Sequence, residues 1–207
     1  MTLGELKVAC IKGIKLDDNQ GFSSDNIEDY KTDRDYKKYF NNIVNSLNNG
    51  IRRLIVDDRI PFQIIELPIT SRINELLKSE LASYNIYSIK GIFMRDVDGS
   101  IFDIETIQSP NKILFTRYYE EGTLLIYYEP NIAPFTEETP DDTDLDALGL
   151  NNLVCGYLTY FVKCELWERV EPTEAQNWRA YAEQYKAALS QNVVYPTQRK
   201  VVSVIKL

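Results

Sequence analysis

Residues 36–61 read YKKYF NNIVNSLNNG IRRLIVDDRI P. Tyr36, Phe40, Ile43, Val44, Leu47, Ile51, Leu54 and Ile55 recur at steps of three and four. Such spacing lays one apolar stripe along a helix. The helix is expected to begin near Thr32 or Asp33 and to stop before Pro61, because proline cannot continue it.

Beyond Pro61 the apolar period falls from about 3.6 to two, the spacing of a strand with alternating faces. Phe62–Leu67 suits a strand. In 84–97, Tyr87, Ile89, Gly91 and Phe93 alternate with Ser88, Lys90 and Ile92. Asp98-Gly99 suits a type I′ turn, with Ile101–Ile107 as the returning strand. A second hairpin is expected from Lys112–Tyr118, a turn at Glu121-Gly122, and Thr123–Tyr128. Residues 72–82 stay open between a strand and a short helix carrying Ile73, Leu76, Leu77 and Leu81.

Working outward toward the N-terminus, Thr2-Leu3-Gly4-Glu5 has capping-box spacing for a first helix. Leu6, Ala9 and Cys10 share one face of it, and Gly13 is its expected stop. The polar, acidic stretch at 16–32 reads as a surface loop. Toward the C-terminus, residues 131–144 hold many acids, no base, and Pro134 and Pro140. They read as a linker. Two helices follow, one on Leu150, Leu153, Val154, Tyr157, Leu158, Phe161, Val162 and Leu166. The other carries Ala175, Trp178, Tyr181, Tyr185, Ala188 and Leu189. Glu171-Pro172-Thr173 turns between them, since proline is welcome at a helix start, and so short a connection makes an antiparallel pair. In the tail, Val193, Val194, Tyr195, Val201, Val202, Val204, Ile205 and Leu207 favour extended structure, and Arg199, Lys200 and Lys206 make it basic. Such an arm joins its own sheet or docks on another chain.

These elements predict an α+β protein. Its N- and C-terminal helices (1–60 and 145–190) form an antiparallel bundle around a central β-hairpin lobe (61–130). An acidic linker (131–144) and an extended C-terminal arm (191–207) complete it.

Composition limits what such a protein does. The chain has 207 residues, a formal net charge of −8 and no histidine. The charge disfavours a surface built to grip nucleic-acid phosphates or anionic lipid. Lack of histidine removes histidine triads, imidazole metal ligands and the commonest general base near neutral pH. Cys10, Cys155 and Cys164 make no C-x-x-C pair. Nine helical residues at about 1.5 Å each hold Cys155 and Cys164 roughly 13 Å apart, beyond the reach of a disulfide. All three read as small buried hydrophobes. No signal peptide opens the chain and no apolar run approaches the ~18 residues of a membrane span, so a soluble cytosolic product is expected.

The carboxylate pairs Asp17-Asp18, Asp57-Asp58 and Asp141-Asp142 are adjacent and do not converge. Asp103 and Glu105 share a strand face, and all read best as solvated acids. Asp96–Ser100 hints at a calcium loop, but Ile101 and Ile107 stand where that loop needs glycine and glutamate. Arg52-Arg53 reads as a solvated helix face, or as a contact for DNA or an acidic neighbour. The fourteen tyrosines suit either a core or a surface that a partner covers.

Three stretches together resemble a known family. They are Met1–Leu6, the asparagine-rich helix of 40–61 with its proline exit, and the closing pair of 145–189 with Ala175, Trp178 and Tyr185. The chain resembles the head-to-tail adaptors, or connectors, of short-tailed bacteriophages, the family that includes the tail tubular protein A of T7-like viruses. The acidic loop at 16–32 departs from that pattern. The resemblance implies a structural protein of the virion neck, made in the host cytoplasm, without catalytic residues, metal or cofactor. It implies a homo-oligomeric ring, usually of twelve copies, beneath the portal protein. The C-terminal arm would dock on the portal or a neighbour through Val193, Val194, Tyr195, Val201, Val202, Val204, Ile205 and Leu207. The β lobes would face the tail or nozzle proteins, and DNA would pass the lumen without specific binding. No membrane partner is implied. Two rivals stand beside it: a β module binding a small molecule or glycan in a tyrosine-lined pocket, and an acidic protein that mimics DNA.

Overall fold

The computed structural model describes residues 1–12, 27 and 37–191. It is a mixed helix and antiparallel-sheet protein, α+β in class. Within the described residues the chain divides into two compact units, one of 1–61 with 132–191 and one of 62–131.

The first unit is helical. Helix α1 (Leu3–Ile11) opens on the expected capping box: the Thr2 amide donates to Glu5 Oε2 at 2.8 Å, and the Glu5 amide to Thr2 Oγ1 at 3.2 Å. Its expected stop, Gly13, lies outside the described residues. Burial is wider than the predicted single face, for Leu3, Leu6, Lys7, Val8, Cys10 and Ile11 are all enclosed. A helix becomes apolar all round when chain covers it on more than one side. Here the cover is the acidic segment. The Leu3 amide donates to the Thr143 carbonyl, that of Gly4 to Asp141, and that of Leu145 to Met1. Lys7, 4% exposed, pairs with Asp141 at 2.7 Å.

Helix α2 (Lys37–Val56) buries Ile43, Val44, Leu47, Ile51 and Leu54 along the predicted stripe. Its predicted start near Thr32 or Asp33, Tyr36 and the Phe40 side chain lie outside the described residues. Its end falls before Pro61, as expected, but proline is not what stops it. The helix stops at Val56, five positions before Pro61. Asp58 takes φ +54°, and the amides of Asp58 and Arg59 donate back to Ile55 and Leu54 at 3.1 and 2.8 Å. This is a Schellman stop with a non-glycine residue in the left-handed position.

Asn151 caps helix α3 (Asn152–Trp167), accepting from the Leu153 and Val154 amides. Helix α4 (Pro172–Gln191) starts on proline, as expected. Gly156 meets Tyr185, Tyr160 packs against the tilted ring of Tyr181, and Glu168 pairs with Arg179. Those pairings run in opposite directions, so α3 and α4 are antiparallel. Buried Phe135, Leu145 and Leu150 join the helices in one core, as does Ile27. Residues 131–144 are irregular, as their prolines require, yet they are packed. Asn48 and Phe135 exchange two hydrogen bonds of 2.9 Å between side-chain amide and backbone.

The second unit holds two sheets. Strands β1 (Gln63–Ile69), β7 (Gly122–Pro130), β3 (Ile86–Arg95) and β4 (Ile101–Asp103) form one, in that order. Strands β2 (Ile73–Leu77), β6 (Lys112–Tyr119) and β5 (Thr106–Gln108) form the other, and both are antiparallel. Ile65, Leu76, Ile92, Met94, Ile113 and Ile126 meet in their shared core.

Three expectations need correction. The second hairpin does not form: β6 pairs with β2 and β5, whereas β7 pairs with β1 and β3. Glu120-Glu121 therefore carries the chain from one sheet to the other. Next, the β3–β4 loop is not a type I′ turn. Only Gly99 has positive φ, the Gly99 amide donates to Asp96, and Asp96 donates to Ser100. That is a three-residue loop with a glycine bulge. Finally, the alternation of Tyr87, Ile89, Gly91 and Phe93 breaks. The register slips between Ile86 and Ser88 and again between Ile89 and Gly91, so Ile86, Ile89 and Ile92, three apart, pack on the core and Tyr87 stays 66% exposed. The open segment 72–82 resolves into β2 and a 3-10 turn (Lys78–Tyr84) that buries Leu81.

Candidate assembly surfaces

Two of the acids singled out in the sequence are held in ion pairs. Asp57 pairs with Lys186 at 2.6 Å, and that hydrogen bond and charge hold its carboxyl below the usual range. Asp141 is committed to Lys7. Asp17 and Asp18 lie outside the described residues. Asp103 and Glu105 do not share a strand, which corrects the expectation. β4 ends at Asp103, buried Ile104 follows, and Glu105 leads into β5 of the other sheet. All three thiols are free and buried, and burial pushes Cys10 up to about 12 and Cys155 to about 11. Among the described residues no group of three or more histidine, cysteine and acid side chains converges on a metal-sized space. No described helix is long and apolar enough to cross a membrane.

Arg52 and Arg53 part company. Arg53 lies over the Phe161 ring, 5.2 Å from its centroid, and belongs to the helix packing. Both are exposed, but Arg52 faces a groove between α2 and residues 132–134. Asn45 and Asn49 continue the polar wall, while Ile55, Ile132 and Pro134 make an apolar floor. Sequence reasoning missed this groove by treating 131–144 as a tether. The available signal was Ile132 and Phe135, two large apolar residues among acids.

On α4 lies a second surface. Ala175, Ala182 and Leu189, seven apart, face the core. Trp178 and Tyr181 sit beside Asn177, Gln184 and Glu174 around a shallow depression on the helix's outer side. Tyr160 of α3 extends the aromatic surface, its ring centroid 5.1 Å from Tyr181 and 5.7 Å from Tyr185. Tyr181 remains 48% exposed. Contact of Tyr160 with Tyr181 and Tyr185 restrains those three rings, which lowers the entropy lost when a partner covers them.

In the second unit, Lys78, Asn85, Ser88, Gln108 and Tyr87 line an open cleft of about 540 Å³. Among the described residues β1, β4, β2 and β5 are the outer strands of their sheets. The predicted docking residues Val193, Val194, Tyr195, Val201, Val202, Val204, Ile205 and Leu207 lie outside the described residues. In comparisons with known proteins, no family model matches this chain and no curated protein matches it.

Proposed function

We propose that this chain is a non-enzymatic structural protein that assembles through its helical unit into a ring. In this reading it is the head-to-tail adaptor of a short-tailed phage neck, joining portal to tail around the DNA exit channel. The observation that carries the proposal is exposed Tyr181 with half-buried Trp178 beside it on the outer side of α4, backed by the partly buried rings of Tyr160 and Tyr185. Aromatic residues grouped at a protein's surface are the usual anchors of protein–protein contacts. The resemblance of residues 1–6, 40–61 and 145–189 to adaptor proteins supplies the kind of assembly. The arm that follows Gln191 is the proposed portal contact, and a net charge of −8 suits a channel along which DNA slides instead of sticking.

Light scattering with and without the cognate portal tests this. The expected result is a defined ring on the portal, lost when residues 192–207 are deleted. A chain that ignores the portal at every concentration refutes the adaptor role. The cleft lined by Tyr87, Lys78, Asn85 and Ser88 supports a second reading, a small-molecule or glycan-binding module. That reading expects a monomer whose ligand binding is lost in Tyr87→Ala.

A further inference from the structure

We propose that neighbouring copies interlock by seating the outer α4 face of one subunit in the α2 groove of the next. The inference rests on the ring proposed above and assigns its contact. A ring closed by rotation needs heterologous contacts, in which two different patches of one subunit complement each other. The helical unit carries two such patches, and they share no residue: Trp178, Tyr181 and Glu174 line one, Arg52, Ile55 and Ile132 the other.

Their chemistries match. The α4 face offers two large rings, the amides of Asn177 and Gln184, and the negative charge of Glu174. Facing chemistry in the groove is an apolar floor of Ile55, Ile132 and Pro134, the amides of Asn45 and Asn49, and the positive charge of Arg52. Rings that cover isoleucine and proline lose water-exposed apolar area on both sides. Arg52 makes no ion pair among the described residues, so an acidic side chain of the neighbour gives its guanidinium one. A second copy supplies both the aromatic bulk and the acid. An isologous contact of either patch with itself would set Arg52 against Arg52 or Glu174 against Glu174, and like charges disfavour it.

The test uses full-length Asn49→Cys and Asn177→Cys variants, singly, mixed, and combined in one chain. Each is assembled on the portal and treated with a short bismaleimide, the native thiols being buried. The mixture is expected to give covalent dimers, the double variant a ladder, and each single variant alone neither. Arg52→Glu should raise the concentration for half-assembly at least tenfold, and Glu174→Arg in the same chain should restore it. Circular dichroism checks that the variants remain folded. A ring seen by light scattering without a ladder from the double variant overturns this contact and leaves the ring standing. Self-crosslinking of a single variant overturns it in favour of an isologous contact. A chain that never assembles overturns both the contact and the adaptor reading.

Discussion

Gly122 opens β7 at φ +118°, and a Cβ built there lies 2.8 Å from the Arg95 carbonyl oxygen and 3.0 Å from Met94 Sδ. Backbone strain and collision act together, because the carbonyl belongs to a paired strand and cannot retreat. Gly122→Ala is expected to cost about 2 kcal/mol, read as a lower urea midpoint with unchanged slope. An unchanged midpoint would show that the sheet switch tolerates a side chain. Gly99 also has positive φ, yet nothing lies within 4 Å of a Cβ added there, so only the conformational cost applies. Residue-scale features were legible where their partners lie within four positions. Thr2 and Glu5 announce their own capping box. Asp58 announces nothing, since a left-handed helix end is normally written with glycine or asparagine.

At the scale of elements, the α3–α4 contact is set by Gly156. A Cβ at this position falls 2.3 Å from Tyr185 Cε1. Alanine would favour the helix by about 1 kcal/mol, but overpacking costs about 1–3 kcal/mol. The ring also stacks on Tyr160, which resists its displacement. Gly156→Ala is therefore expected to destabilise the protein, and Gly156→Ala with Tyr185→Leu should be more stable than Gly156→Ala alone. Chemical denaturation of the three proteins decides it. A single variant as stable as the parent would show that the helices have room to part. The strands teach a different lesson. Residues 112–119 and 122–130 read as a hairpin because both alternate and a glycine turn joins them, but alternation is the same whichever strand is the partner. Pairing was decided by which sheet completes the core around Ile113, Leu124 and Ile126.

For the whole molecule, the two cores share no residue, one built on Leu3, Leu47 and Val154, the other on Ile65, Met94 and Ile126. The chain enters the sheet unit on β1 and leaves on β7, which pair from Gln63↔Tyr128 to Ile69↔Gly122. Entry and exit are thus neighbours, and excision cuts no strand from its partner. Residues 62–131 expressed alone are expected to give a β-type circular dichroism spectrum and a cooperative thermal transition. Dye binding without such a transition would show that this core depends on the rest of the chain. The candidate surfaces were legible only in part. Trp178, Tyr181 and Tyr185 stood out as aromatic repeats, whereas the groove at Arg52 required the acidic segment to fold back onto α2. By itself the sequence determined the types of element outside 72–82, the first helix's cap and the apolar faces of α2 to α4, because these depend on backbone preference and spacing along a few turns. The tertiary structure alone decided strand partners, the slip that turns Ile92 inward, and the docking of 131–144. Each of these is chosen by burial against residues distant in sequence, and local pattern carries no record of them.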